Sequence, residues 1–187
     1  MAQPILLFGG TFDPVHNAHL AVARRALEAL GAARLLWIPT GAPPYRERPV
    51  AAAADRLAML RLALAGEPRH AIDERELAPG ASGYTLDTVA SLQEELPGHE
   101  LVLLMGADQY AKRGSWHRWA DLEKLVRVAV VARPGWTAAG GSATVVPMPP
   151  MEVSASDIRA RLARGAEVAA LLPAPVLAYV RERGLYR

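Results

Sequence analysis

The chain contains no cysteine, which excludes disulfides, thiolate metal sites and cysteine nucleophiles and suits a cytoplasmic location. No apolar run approaches the roughly 18 residues that a membrane-spanning helix needs. The first ten residues carry no basic segment of the kind that opens a signal peptide, so a soluble, unprocessed chain with no membrane partner is expected. Lysine is nearly absent: Lys112 and Lys124 are the only two, and arginine supplies the remaining positive charge. Arginine's planar fork can clamp phosphate, although genome composition also produces such a bias. A net charge of +2 and a pI near 9.2 suit a phosphate-bearing ligand but fall short of a polycationic surface, so no nucleic-acid partner is expected. Internal repeats and low-complexity segments are missing, and so are a Walker A loop and a G-x-G-x-x-G turn.

What is there is enough apolar material for one substantial core. The 187 residues, 51% of them hydrophobic, predict a single domain over 1–187. Short β-rich runs at 4–8, 34–38, 101–105, 127–132 and 143–148 read as buried strands, each ended by Gly, Pro, Asp or Thr. Helical periodicity falls between and after them, at about 15–30, 51–65, 85–96, 119–126, 156–163 and 175–183. This alternation predicts an α/β, Rossmann-like doubly wound fold: a mostly parallel sheet of five or six strands with helices on both faces. The loops at 41–49, 79–83 and 133–141 are too short to be linkers.

The unusual residues cluster after strand ends, the edge where open α/β sheets bind ligands. Gly9, Gly10 and Thr11 follow the first predicted strand, Gly106 and Asp108 the third, Arg133 the fourth, and Ser154 and Ser156 the fifth. Gly9 and Gly10 remove side chains where a phosphate would approach backbone N–H groups. Asp13-Pro14 reads as an N-cap and first-turn proline, with the helix starting there or a few residues on. His16 and His19 would then share one face of the opening turn, placing two imidazoles beside a helix N-terminus, an arrangement suited to a polyphosphate.

The segment Gly9-Gly10-Thr11-Phe12-Asp13-Pro14-Val15-His16-Asn17-Ala18-His19 resembles the H-x-G-H signature of the nucleotidyltransferase superfamily. Within it the resemblance is closest to the bacterial nicotinate-nucleotide adenylyltransferases and runs over almost the whole chain. It includes Gly41-Ala42-Pro43-Pro44, Arg56 to Leu60, Asp73 to Leu77, Tyr84 to Thr88, Gly106-Ala107-Asp108, Trp116, Arg133-Pro134-Gly135, Val153 to Arg159 and the ending Gly184 to Arg187. The resemblance implies transfer of the adenylyl group of ATP to nicotinate mononucleotide, with Mg²⁺ carried mainly on the ATP phosphates and no protein metal cage. It implies an ATP site made of Gly9, Gly10, Thr11, Phe12, His16, His19, Gly106, Asp108, Arg133, Ser154, Ser156 and Arg159, with the C-terminal helices from about 154 completing it. His16, His19 and Arg159 are the implied catalytic residues. A pyridine site of Tyr84, Thr85, Asp108 and Trp116 is likewise implied.

Several of these residues also have plain readings. Ser154 or Ser156 would be an ordinary helix cap, Trp116 a tryptophan packed between loop and core, and Asp108 a turn residue. Backbone donors near Tyr84 and Thr85 would favour a carboxylate over a carboxamide, which is the physical case for nicotinate. Bound anions would favour protonated His19. Ala18 replaces the signature's glycine, Tyr45-Arg46 stands where His-Lys or His-Arg is usual, and Gly83 where serine is common. The alternatives are a nicotinamide-nucleotide or phosphopantetheine adenylyltransferase, or a non-catalytic nucleotide sensor. The phosphopantetheine enzymes usually have Thr where His16 stands. Oligomeric state is left open, a homo-oligomer included. Asp73 to Glu76 read as solvated ion pairs, His70, His99 and His117 as isolated and exposed, and Leu57, Leu60 and Leu64 as a core stripe.

Overall fold

Six strands make the frame: β1 (Ile5–Gly10), β2 (Arg34–Pro39), β3 (His70–Ile72), β4 (Leu101–Gly106), β5 (Arg127–Val131) and β6 (Thr144–Val146). In this computed structural model, residues 3–41, 48–131, 142–149 and 151–187 are described. The strands pair in the order β3-β2-β1-β4-β5-β6, every pair parallel. Because successive strands run outward from β1 in one direction and then from β4 in the other, the order reverses between these two, and a crevice opens beyond their C-terminal ends.

Strand alternation divides the core. Leu6 and Phe8 of β1 join one cluster, while Ile5 and Leu7 join the other. Helices α1 (Asn17–Ala29), α2 (Ala53–Ala63), α6 (Ala155–Ala163) and α7 (Ala174–Arg183) fill the first. Helices α3 (Thr85–Glu95), α4 (Ala107–Ala111) and α5 (Trp119–Leu125) fill the second. The sheet is therefore buried on both sides, which is why its strands read as continuous apolar runs. Helix α1 meets the sheet through Ala23, Ala26 and Leu27, all at most 1% exposed. Two alanines in that face let the helix approach closely and hold its N-terminus against the end of β1.

Three sequence expectations need correction. Helix α1 takes the later of the two expected starts, at Asn17 with His16 as its N-cap, so Asp13 is not a cap and Pro14, after a cis peptide bond, is not in the first turn. The Asp13 carboxylate is engaged elsewhere, as described below. On α2 the expected stripe holds at Leu60 and Leu64, both in the core, but Leu57 is only half-buried and Arg56 and Met59 complete the buried face. Third, His70 is not isolated: it opens β3, a strand of three residues, and its Nδ1 accepts the indole N–H of the fully buried Trp37 at 2.9 Å. Of the other two, His99 is exposed, and His117 is exposed but stacks on Tyr84.

Burial lowers the proton affinity of His70, with Glu67 opposing. The unfolded chain therefore binds this proton more readily than the folded one. Stability present above the unfolded value of about pH 6.5 is lost as the pH falls below it. The urea midpoint is expected to drop between about pH 7 and about pH 5.5, and to drop less in His70→Gln, which cannot titrate. An equal drop in both proteins would remove His70 from the explanation.

Candidate active site

Strand β1 ends in Gly9 and Gly10, and the two glycines do different things. A side chain at Gly9 would meet nothing within 4 Å, so the approach to the backbone there is open. A Cβ at Gly10 would lie 2.8 Å from the Phe12 ring, so the space that its missing side chain leaves is filled from within. Phe12 stands at φ 49°, a left-handed conformation costing about 1–2 kcal/mol for an L-residue. Its ring is 2% exposed and packs edge-on to Phe8 at 5.7 Å, Trp37 at 5.2 Å and His19 at 5.1 Å. The Phe12 side chain is therefore sealed in the core.

His16 and His19 come together at the start of α1, their rings stacked with centroids 3.7 Å apart and planes 22° from parallel. Nδ1 of His19 accepts the backbone N–H of His16 at 3.2 Å. That contact fixes the neutral tautomer with its proton on Nε2, so this ring is a donor without needing a second proton. Both rings line a cleft of about 490 Å³, open solvent at its mouth included. Gly106 at the end of β4 also lines it, and its apolar walls include Phe8, Val22, Val131, Met148 and Val153. Ala18, the departure from the glycine of the signature, contributes its methyl group to this wall.

The C-terminal segment closes in beside the strand end. Ser154 caps α6, its Oγ accepting the Asp157 N–H at 3.2 Å and lying 3.1 Å from the Ser156 Oγ. Ile158 is buried in the core, which fixes the helix, and Arg159 donates to the Asp13 carbonyl at 2.8 Å. The capping role of Ser154 and its place near the signature segment are thus both present.

Beneath this edge lies a buried polar cluster. Asp13, 3% exposed, accepts the Val50 N–H at 2.7 Å, the Ala51 N–H at 3.2 Å and the Tyr186 hydroxyl at 2.6 Å. Arg56, 2% exposed, donates to the Thr11 carbonyl at 2.6 Å and the Thr40 carbonyl at 2.9 Å, joining the turns after β1 and β2. Burial lowers the proton affinity of Arg56, while Asp13 and Tyr186 oppose the shift. Gly41 leaves no room for a side chain, since a Cβ there would collide with the Glu76 carbonyl.

A second group forms across the sheet's other face. Tyr84 is the N-cap of α3, which begins at Thr85 as the periodicity predicts, and its ring stacks on His117 at 4.1 Å. Gly83 adopts φ 70°, a conformation that glycine supplies without strain. Trp116 is half-buried and meets Trp119 edge-on at 5.8 Å, so it packs against the core and keeps part of its surface free. Asp108 lies in the first turn of α4, its Oδ2 accepting from Gln109 at 3.2 Å. Arg75 pairs with Asp73 and with Glu95, both at 2.8 Å, so the expected local ion pairs are present and tie the chain after β3 to α3.

Arg133, Tyr45 and Arg46 lie outside the described residues. Among those described, no group of three or more His, Cys, Asp or Glu side chains is placed to hold a metal ion, and no helix is long and apolar enough to cross a membrane. Sequence reasoning missed Asp13, Arg56 and Tyr186 as structural determinants of the site. The available signals were an arginine on the apolar face of α2 and an aspartate three residues before the first histidine.

A parallel sheet reversing at β1 and β4, with a glycine strand end and paired histidines at the crevice, defines a nucleotide-handling α/β protein. Residues 7–161 match the family model described as cytidylyltransferase-like. Over 97% of its length the chain is 43% identical to a protein of Laribacter hongkongensis, covering 93% of it, and 44% identical to one of Bordetella petrii, covering 97%. Both are named "Probable nicotinate-nucleotide adenylyltransferase". The Plasmodium falciparum nicotinic acid mononucleotide adenylyltransferase complexed with NaAD has the same fold, with a TM-score of 0.86 at 15% identity, and 98% of this chain and 97% of that one are covered. The chain belongs to the nicotinate-nucleotide adenylyltransferase family of nucleotidyltransferases.

Proposed function

We propose that the protein joins ATP to nicotinate mononucleotide, forming nicotinate adenine dinucleotide and pyrophosphate. An oxygen of the mononucleotide phosphate attacks the α-phosphorus in line, a new P–O bond forms, and the bond to the β-phosphate oxygen breaks. No protein nucleophile is required. Catalysis consists of holding the two phosphates in register and stabilising negative charge on the transition state and the departing pyrophosphate.

The observation that carries this reading is the stacked His16–His19 pair at the N-terminus of α1, lining the cleft at the reversal point of the sheet. His19 donates from Nε2 to a phosphate oxygen, and His16 and the open backbone at Gly9 take neighbouring oxygens. The α6 N-terminus with Ser154 and Ser156, together with Arg159, holds the β- and γ-phosphates. Thr11, Phe12 and Gly106 contribute backbone, Asp108 a ribose contact, and the apolar walls of the cleft suit a purine ring. Arg133 is a further nucleotide contact. Mg²⁺ arrives on the triphosphate as part of the substrate. The C-terminal helices from about 154 complete this ATP site, and the enzyme works in the cytoplasm without a nucleic-acid partner.

The acceptor ring lies against Trp116, with its carboxylate at the first-turn amides of α3 beside Tyr84 and Thr85. Those donors match a carboxylate, and they oppose the NH₂ of a carboxamide. The test is pyrophosphate release from MgATP with nicotinate mononucleotide, nicotinamide mononucleotide and phosphopantetheine in turn. Release with the first, and far less with the others, is expected. Release with none would make the chain a nucleotide-binding sensor.

A further inference from the structure

Two tyrosines of the C-terminal segment donate their hydroxyls to carboxylates on distant elements. Tyr179 on α7 donates to Asp55 of α2 at 2.8 Å and ties two helices together. Tyr186 lies beyond Gly184, which ends α7 at φ 61°, and its ring turns back into the core to donate to Asp13 at 2.6 Å. Tyr186 itself stands at φ 64°, a conformation that L side chains rarely adopt, and is 8% exposed. The fold thus accepts an unfavourable backbone to put one hydroxyl on one carboxylate.

We infer that Tyr186 is a positioning residue for adenylyl transfer: through Asp13 it holds the segment between the Gly9–Gly10 strand end and the His16–His19 pair in working shape. The inference rests on the reaction proposed above. Asp13 is three residues from His16 and three from Gly10, so its position sets both the open backbone and the imidazoles. Its Oδ2 is held by the Val50 amide, and its carbonyl by Arg159. Its Oδ1 takes the Tyr186 hydroxyl and, at 3.2 Å, the Ala51 amide. Without the hydroxyl, Oδ1 keeps only that longer bond, and the carboxylate can turn, taking the segment with it. Burial first, and the hydrogen bond to Asp13 second, push the phenol far above its ordinary proton affinity, so this tether persists at any working pH.

Tyr179 supplies the control, because its removal also deletes a tyrosine–aspartate bond made by the C-terminal segment but leaves Asp13 untouched. Tyr186→Phe and Tyr179→Phe are compared with the unmodified protein in melting temperature, in steady-state pyrophosphate release from MgATP and nicotinate mononucleotide, and in native-state hydrogen exchange over residues 9–19. Turnover of Tyr186→Phe, normalised to folded protein, is expected to fall about tenfold, with KM for the mononucleotide unchanged and faster exchange confined to 9–19. Tyr179→Phe is expected to keep full turnover even where it melts lower. Full turnover and unchanged exchange in Tyr186→Phe, or an equal loss in Tyr179→Phe, overturns the inference and leaves the reaction standing. If the unmodified protein releases no pyrophosphate with the mononucleotide, the reaction itself fails and the inference falls with it.

Discussion

His19→Ala is expected to lower turnover by about 10²- to 10³-fold, the usual cost of removing one preorganised donor to a charge-bearing transition state. The ring is preorganised on three sides: His16 stacks at 3.7 Å, Phe12 meets it edge-on at 5.1 Å, and Phe8 lies at 6.1 Å. The acceptor role of its Nδ1 adds a fourth constraint and leaves Nε2 as the donor. Since the side chain is only half-buried, truncation should leave the sheet and both core layers intact. Steady-state pyrophosphate release beside a thermal melt separates the two effects. His19→Asn, which retains an amide donor, should recover part of the lost rate. Near-normal turnover in a folded His19→Ala protein would remove the residue from the chemistry.

Asp13→Ala is expected to cost about 3–5 kcal/mol of stability, because its loss leaves the amides of Val50 and Ala51 and the buried Tyr186 phenol without their acceptor, and the buried Arg56 guanidinium without a nearby opposing charge. For a chain of this size that corresponds to a fall in melting temperature on the order of 10 °C. Activity should fall as well, since the carboxylate anchors the segment leading to His16. The same exchange at an exposed carboxylate such as Glu28, whose nearest ion-pair contact to Arg25 is at 4.0 Å, should change stability by less than about 0.5 kcal/mol. A melt of Asp13→Ala within a degree or two of the unmodified protein would show that the buried cluster does not hold this edge.

Most of the fold was legible because a sheet covered on both faces writes its strands as uninterrupted apolar runs, as in Leu101–Gly106 and Arg127–Val131. Strand β3 was not legible. His-Ala-Ile is too short to show a period, and what defines it is pairing with β2, including a Trp37–His70 bond over 33 positions of sequence. The paired histidines were legible from their spacing, whereas the start of α1 was not. Asp-Pro is a common cap, and nothing local to it reveals that the carboxylate is taken by the amides of Val50 and Ala51 and by Tyr186. Arg56 was hidden for the same reason: an arginine on a helix reads as a solvent-facing charge until the carbonyls of Thr11 and Thr40 converge on it. Local chemistry thus exposed the groups that line the cleft, and long-range hydrogen bonds hid the groups that hold them.

Adenylyl transfer to a pyridine mononucleotide that bears a carboxylate is measured most directly by following a label. With ATP labelled at the α-phosphorus and equal nicotinate and nicotinamide mononucleotides in competition, the label should appear in the nicotinate dinucleotide, with unlabelled pyrophosphate released and little nicotinamide product. Label in the nicotinamide dinucleotide at a comparable rate, or label retained in ATP with both acceptors present, would contradict the account.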